Sequence, residues 1–248
     1  MRDQDRLWRY RDQADLMSGV AGELIERLLA LQADAGRIVN LCVATGDLGS
    51  ALGSALIGHP RVGDLDASRL VLWWGAESFV DATDPLRQST QLLSQIHAAI
   101  PLPAGQAHTM PQRSGYRDPD EAAYAYAEEL GSTRFDLCLL DFGDGGHLAG
   151  IYPDHPSLTA AQDPQVSVIG VTNAPGPVPE QMTLTFAALN TSDQIWIVAS
   201  GADRAGSLVG ALAGDPSLPS SYLRAGQGTI WMVDEDAASR IPTFHCSL

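Results

Sequence analysis

The sequence predicts a layered α/β fold, in which helices cover a mainly parallel sheet. Two observations lead to this prediction. Short apolar runs rich in β-branched residues alternate along the 248-residue chain with longer segments of helical periodicity, which is the order of strand–helix–strand units. Several of these runs are apolar at nearly every position, as expected for strands that are buried on both faces of a parallel sheet. With 45% hydrophobic residues, the chain can bury a sizeable core.

Six apolar runs are predicted to form strands. The run at 37–44 reads RIVNLCVA and the run at 194–200 reads QIWIVAS, and both contain the Val and Ile side chains that suit a pleated sheet. In chain order, the predicted strands are residues 37–44, 70–74, 135–142, 166–172, 194–200 and 229–233.

Helical patterns occupy the segments around these strands. Asp12 and Asp203 are suited to cap the helices that follow them, and Pro85 and Pro119 each follow an aspartate and suit a first helical turn. In chain order, the predicted helices are residues 12–33, 47–56, 85–100, 119–131, 203–212 and 219–224.

The extent of the domain follows from the lack of a long linker or internal repeat. We expect one α/β domain over residues 1–248, with residues 1–13 as a loose N-terminal segment.

The first residues carry too many charges for a secretory signal, and no run approaches the ~18–20 apolar residues of a membrane span. Three cysteines form no CxxC pair, and two of them lie in apolar runs, as buried free thiols do. These observations predict a cytoplasmic protein.

The charge of the chain excludes several classes of function. All 15 basic residues are arginine, and 30 acidic residues give a formal net charge of -15. A chain without lysine has neither the lysine of a P-loop nor the lysine amine of a pyridoxal-phosphate enzyme. The acidic balance also argues against binding to nucleic acids or to an anionic membrane surface.

Four segments follow predicted strands at the edge where open α/β sheets bind their ligands: residues 45–47, 75–80, 143–150 and 173–185. The third places three glycines, whose backbone N–H groups are uncovered, before His147, whose imidazole titrates in the range useful for general base catalysis. The same pattern also fits a tight strand-to-helix turn with His147 as a polar cap. The other histidines show no metal-ligand spacing with one another or with cysteine.

These segments resemble one family, the 6-phosphogluconolactonases. The family's Gly-x-Asp-Gly-His-Thr-Ala-Ser-Leu-Phe-Pro loop is similar to residues 143–153, and its Trp-Gly-Asp-Glu-Arg-x-Val segment resembles residues 74–80. Its Pro-rich loop before Arg-Ile-Thr-Leu-Thr resembles residues 175–185. Its Gly-Ala-Glu-Lys-Ala motif and its last strand and helix resemble residues 201–205 and 219–238. In the first loop, the matching residues are Gly143, Gly146, His147, Ala149 and Pro153.

The resemblance runs in order from about residue 14 to residue 240, and it implies a fold and a reaction. The fold is the three-layer α/β/α arrangement with a mainly parallel sheet that glucosamine-6-phosphate isomerases and 6-phosphogluconolactonases share. The reaction is the hydrolysis of 6-phosphogluconolactone in the pentose phosphate pathway, with no metal or organic cofactor. The resemblance makes His147 the general base that activates water, with loop N–H groups at the developing oxyanion and Asp144 as a second catalytic candidate. The implied substrate-binding residues are Thr45, Gly46, Asp47, Glu77, Gly143, Gly146 and Arg204.

Several positions depart from the family, and most of the departures remove a cation. Each lost charge-assisted hydrogen bond is worth ~1.5–3 kcal/mol, so we expect phosphate binding to be weakened. The loss is compensated if Arg87, Arg113 or Arg117 reaches the site from another direction. The departures are Thr45-Gly46-Asp47 for a Gly-Gly loop, Ala76-Glu77-Ser78 for Asp-Glu-Arg, Gln88 for asparagine, Gly145 for aspartate, Gly176 for lysine and Gln181 for arginine.

Three hypotheses about function remain open. The main one is a 6-phosphogluconolactonase that opens a phosphorylated sugar lactone despite a degraded phosphate site. The second is a lactonase of the same fold that acts on an unphosphorylated sugar lactone. The third is a non-catalytic relative that acts as a protein partner or regulator in glucose-6-phosphate oxidation. Retention of His147 favours the first two hypotheses, and the lost cations favour the last two.

Overall fold

The computed structural model describes residues 5–44 and 46–241, with only the backbone described at residue 47. The strands are β1 (Arg6–Tyr10), β2 (Val39–Ala44), β3 (Leu70–Trp74), β4 (Ala76–Ser78), β5 (Ala107–His108), β6 (Leu137–Asp141), β7 (Val168–Val171), β8 (Gln181–Leu184), β9 (Gln194–Ala199) and β10 (Thr229–Asp234). The α-helices are α1 (Gln13–Gln32), α2 (Gly49–Gly58), α3 (Gln88–Ala99), α4 (Pro119–Leu130), α5 (Pro156–Ala160), α6 (Phe186–Leu189) and α7 (Ala205–Ala213).

A parallel sheet forms the centre of the described structure, with the strand order β1-β10-β9-β6-β2-β3-β5. Every pairing in this sheet is parallel. A smaller antiparallel sheet has the order β4-β8-β7. Helix α2 packs against both α1 and α3, and α4 packs on β7 and β8. The predicted fold, a mainly parallel sheet flanked by helices, is therefore confirmed.

The central strands are apolar because they are covered on both faces. All five residues of β6 and all six of β10 are buried. Cys42 and Cys138 lie opposite each other on β2 and β6 as buried free thiols, and burial raises the pKa of Cys42. The largest buried side chains include Trp74 and Trp196, which fill the interior around the sheet. Because these strands have no exposed face, their sequences show no alternation of polar and apolar residues.

One predicted strand, residues 166–172, does not join the parallel sheet. Its central part forms β7, which pairs antiparallel with β8 in the small sheet. Only Val168 and Val171 of this strand are buried, whereas the two residues between them are half-buried. The strand packs on α4, and its two half-buried residues fit a position outside the main sheet.

The expectation of a loose N-terminal segment is wrong for residues 6–10. These residues form β1, the edge strand that pairs in parallel with β10. Tyr10 packs on Gly19 of α1, where an added Cβ would lie 2.2 Å from the ring. Arg9 forms an ion pair of 2.6 Å with Glu235 just after β10. A short, charged strand of this kind gives no strong apolar signal in the sequence, although it is suited to a sheet edge.

A predicted helix start is confirmed where a residue next to the helix caps it. Asp12 accepts the backbone N–H of Asp15 at 2.8 Å, and Asp118 caps α4 with Pro119 in the first turn, so both predicted starts are confirmed. Asp203 instead lies in a 3₁₀ turn before α7 and does not cap it. The segment predicted as a helix at 219–224 is a 3₁₀ turn over Pro219–Tyr222. In residues 5–44 and 46–241, no helix has the length and hydrophobicity needed to cross a bilayer.

Candidate active site

A cleft of about 810 Å³ opens at the carboxyl ends of β2 and β6. All four segments that the sequence placed at this edge contribute to its walls, through Gly46, Ser78, the loop around Gly143, and the Pro-rich loop. The cleft narrows to an inner recess of about 70 Å³. The polar residues that line the recess are Glu77, Ser78, Gln88, Asp141, His147, Tyr152 and Gln181.

The glycine loop after β6 makes a tight turn over Asp144–Gly146, in which Gly145 and Gly146 both have a positive φ. The N–H of Gly143 donates to the His147 carbonyl, and the N–H of Gly146 donates to the Gly143 carbonyl, both at 3.0 Å. Gly146 is also packed against Leu218 and Ser207 and lies outside the cleft lining. These two glycines therefore hold the loop together, and their N–H groups are not the open donors that the sequence suggested. The N–H groups of Asp144 and Gly145 lie between these two bonded glycines, within the turn.

The imidazole of His147 lies over Gly143, where a Cβ would fall 1.9 Å from the ring carbon Cε1. Nδ1 of His147 is 3.0 Å from the backbone carbonyl oxygen of Asp144. Because a carbonyl oxygen can only accept, Nδ1 carries the proton in this contact and Nε2 of the neutral ring is the basic nitrogen. His147 follows this turn in an extended conformation and the next α-helix begins at Pro156, so the alternative of a strand-to-helix turn with His147 as a polar cap is wrong.

Asp144 and Arg204 form an ion pair at the rim of the cleft. Nη1 of Arg204 is 3.3 Å from Oδ1 of Asp144, and Nε of Arg204 donates to the Phe142 carbonyl at 2.9 Å. The Asp144 side chain is 78% exposed. The contact that Asp144 makes with His147 thus comes from its backbone carbonyl, and its carboxylate is directed to Arg204.

Glu77 is a buried helix cap. Glu77 is only 2% exposed. Its carboxylate accepts the N–H groups of Ser78, Gln88 and Ser89 at 2.7–3.0 Å. Because this carboxylate caps α3 from β4, the helix starts at Gln88, and the prediction of a helix start at Pro85 is wrong. Glu77 touches the inner recess, but its oxygens are already engaged with the first turn of α3.

The arginines that could replace the lost cations point elsewhere. Arg87 is buried and donates to the carbonyls of Met110 and Pro111, and this burial lowers its pKa. Arg113 pairs with Glu180, and the exposed Arg117 pairs with Asp118. In the described part of the chain, Arg204 is the arginine that lines the cleft.

Two residues of the expected phosphate loop cannot be placed with their side chains. Thr45 lies outside the described residues, and Asp47 is described by its backbone only. Gly46 between them has a φ of +45°, and a Cβ there would lie 2.6 Å from Oδ2 of Asp141. Glycine is needed at residue 46 because the chain passes so close to this buried carboxylate.

The sequence did not single out two residues of the recess, Asp141 and Tyr152. Asp141 is the last residue of β6, and its position at a carboxyl strand end was an available signal. The Tyr152 hydroxyl donates to Oε1 of Gln181 at 2.8 Å, and Nε2 of Gln181 donates to the Val178 carbonyl at 3.1 Å. The Tyr152 ring packs on His147 with centroids 4.8 Å apart, and burial raises the pKa of Tyr152.

The chemistry available in the cleft is that of a histidine base among neutral amides, a phenol and carboxylates. Among the described residues, no group of three or more His, Cys, Asp and Glu side chains is arranged to hold a metal ion. The parallel sheet and the polar cleft at its carboxyl edge thus define an α/β protein with a site suited to a small polar molecule.

Comparison with known proteins places the chain within this class. Residues 11–232 match the family model described as glucosamine-6-phosphate isomerases/6-phosphogluconolactonase. The chain is 33% identical to the 6-phosphogluconolactonase of Streptomyces coelicolor, over 98% of this chain and 97% of that protein. It is 32% identical to the 6-phosphogluconolactonase of Mycobacterium leprae, over 91% of this chain and 94% of that protein. The solved 6-phosphogluconolactonase of Trypanosoma brucei shares the fold, with a TM-score of 0.81 at 17% identity over 96% of this chain and 99% of that one. The chain belongs to the glucosamine-6-phosphate isomerase/6-phosphogluconolactonase family.

Proposed function

We propose that this chain hydrolyses 6-phosphogluconolactone, a step of the pentose phosphate pathway, with His147 as the general base. The observation that carries the proposal is the contact between Nδ1 of His147 and the Asp144 carbonyl. It fixes the tautomer in which Nε2 accepts a proton. The relatives that align with nearly the whole chain are named 6-phosphogluconolactonases, and this supports the choice of substrate.

The reaction follows from the base and the loop. Nε2 of His147 takes a proton from a water molecule while the water oxygen attacks the lactone carbonyl carbon. The tetrahedral oxyanion that forms is stabilised by N–H groups at the start of the glycine turn, at Asp144 and Gly145. The bond between this carbon and the ring oxygen then breaks, and the imidazolium returns the proton to the leaving oxygen. The product is the open hydroxy acid.

The shape and polarity of the cleft support a sugar-sized substrate. Its volume of about 810 Å³ lies within the range of small-molecule sites, ~300–1,000 Å³. The recess beside His147 is lined by amide and hydroxyl groups of Gln88, Tyr152 and Gln181, which suit the hydroxyl groups of a sugar ring. Arg204 at the rim is the cation proposed to meet the phosphate.

The proposal is tested by measuring lactone opening by NMR, corrected for the spontaneous reaction. We expect the wild-type chain to accelerate opening of 6-phosphogluconolactone and His147→Ala to lower kcat by ~10²–10⁴-fold, the usual contribution of a general base. A wild-type chain that gives only the spontaneous rate would contradict the proposal. The cytoplasmic location and the protein partner in glucose-6-phosphate oxidation stay predictions.

A further inference from the structure

The described walls of the cleft offer little positive charge to a phosphate group. Arg204 lines the cleft, but its guanidinium is paired with Asp144, and its Nε is bonded to the Phe142 carbonyl. A phosphate dianion that binds Arg204 must therefore compete with a carboxylate already in place. The ion pair lies at the rim, where solvent screens the remaining attraction.

Carboxylates outnumber cations around the described cavity. Glu77 and Asp141 line the recess, and Asp154 lines the larger cleft. The N-terminus of a helix is a common site for a bound anion. At α3 the carboxylate of Glu77 already occupies this site, because it accepts the N–H groups of Gln88 and Ser89. These two N–H groups are therefore not available to bind a phosphate group.

The side chains beside His147 are neutral hydrogen-bonding groups. The amide of Gln181 is fixed in orientation, since Oε1 accepts from Tyr152 and Nε2 donates to the Val178 carbonyl. Gln88 lines the same recess. Neutral amides and a phenol bind hydroxyl groups well, but they lack the charge that would make a dianion preferable to a hydroxyl.

We infer that this cleft discriminates little between phosphorylated and unphosphorylated sugar lactones, so that the chain also hydrolyses neutral aldonolactones such as glucono-δ-lactone. The inference rests on the proposed function, because it uses His147 and the same cleft. It adds that Gln181 is a specificity-determining residue, whose neutral side chain keeps the site open to a substrate without a phosphate.

The deciding experiment compares kcat/KM for 6-phosphogluconolactone and glucono-δ-lactone on the wild-type chain. We expect the ratio to be about tenfold or less, because a single effective charge-assisted hydrogen bond to phosphate would give more. A preference above tenfold for the phosphorylated lactone overturns the inference and leaves the proposed function standing. His147→Ala must lower kcat for both lactones by ~10²–10⁴-fold, which shows that one site serves both lactones.

Variants and product binding complete the test. Gln181→Arg is expected to raise the preference for the phosphorylated lactone by at least about tenfold, whereas Arg113→Gln, which alters an arginine outside the cleft, leaves the ratio unchanged. An unchanged ratio in a folded Gln181→Arg variant overturns the role of Gln181. If neither lactone is hydrolysed, both the proposed function and the inference fail. Titration calorimetry with the two products gives a second readout: binding of 6-phosphogluconate more than about tenfold tighter than binding of gluconate overturns the inference, and binding of both within about tenfold supports it.

Discussion

The imidazole of His147 is oriented by the protein backbone. A carboxylate orients the histidine in many hydrolases, where it fixes the tautomer and stabilises the imidazolium. Here the carbonyl of Asp144 fixes the tautomer, and the Asp144 carboxylate is turned to Arg204. Any backbone carbonyl at residue 144 can perform this function, so the side chain at this position is expected to influence substrate binding more than proton transfer.

Replacement of Asp144 separates these two effects. We expect Asp144→Asn to keep kcat for 6-phosphogluconolactone within about fivefold, because the carbonyl contact to His147 is retained. The KM for the phosphorylated lactone should fall, because Arg204 loses its carboxylate partner. Steady-state kinetics of the variant and the wild type provide the measurement. A kcat reduced as strongly as in His147→Ala would show that the carboxylate itself takes part in the chemistry.

At the scale of elements, local signals in the sequence predicted more than distant ones. The buried strands β2, β6 and β9 were recognised because both faces are apolar, and the start of α4 was recognised from Asp118 and Pro119 next to it. The start of α3 was missed because its cap, Glu77, comes from a different element. Likewise, Gly143 and His147 were identified from their loop, whereas the contact of Tyr152 with Gln181 joins residues 29 positions apart and leaves no local pattern.

The cap of α3 makes a direct prediction for stability. Glu77→Ala leaves the N–H groups of Ser78, Gln88 and Ser89 without their buried acceptor, so we expect the free energy of unfolding to fall by about 2 kcal/mol. Urea unfolding followed by circular dichroism measures it. Glu128→Ala, at an exposed position on α4, is the matched control and should change little. Equal losses in the two variants would show that the cap has no special role.

The cap of α4 makes a prediction for acid pH. The pKa of Asp118 is lowered, first by the N–H of Glu121 and then by Arg117. Because the folded-state pKa is depressed, the stabilisation is complete above the ordinary value of 3.8 and is lost as the pH falls through the lowered value. We expect the difference in melting temperature between wild type and Asp118→Ala to shrink as the pH falls below 3.8. A difference that stays constant or grows in acid would contradict this assignment.

For the whole molecule, the excess of acidic residues is the dominant electrostatic feature. A formal charge of -15 on 248 residues places like charges close together on a compact surface. Such repulsion destabilises the folded state, and salt screens it over a distance of ~10 Å at 0.1 M. The described ion pairs, such as Arg61 with Glu26 and Arg9 with Glu235, offset this repulsion locally and lie mainly on the surface.

Salt is therefore expected to stabilise the whole chain at neutral pH. The melting temperature should rise between ~20 and ~200 mM NaCl at pH 7, because repulsion within the folded state is screened. At a pH near the isoelectric point of about 4.5, the same salt increase should have a smaller effect. Calorimetric scans at both pH values make the comparison. A melting temperature that falls with salt at pH 7 would mean that attractive ion pairs outweigh the repulsion.

The central claim is that His147 acts as the general base of a lactone hydrolase. It is tested most directly by the hydrolysis of 6-phosphogluconolactone with His147→Ala, with and without added imidazole. We predict that kcat of the variant falls by ~10²–10⁴-fold and that imidazole restores part of the activity, beyond its effect on the lactone alone, because a base can occupy the space left by the ring. A His147→Ala variant that hydrolyses the lactone at the wild-type rate would contradict the claim.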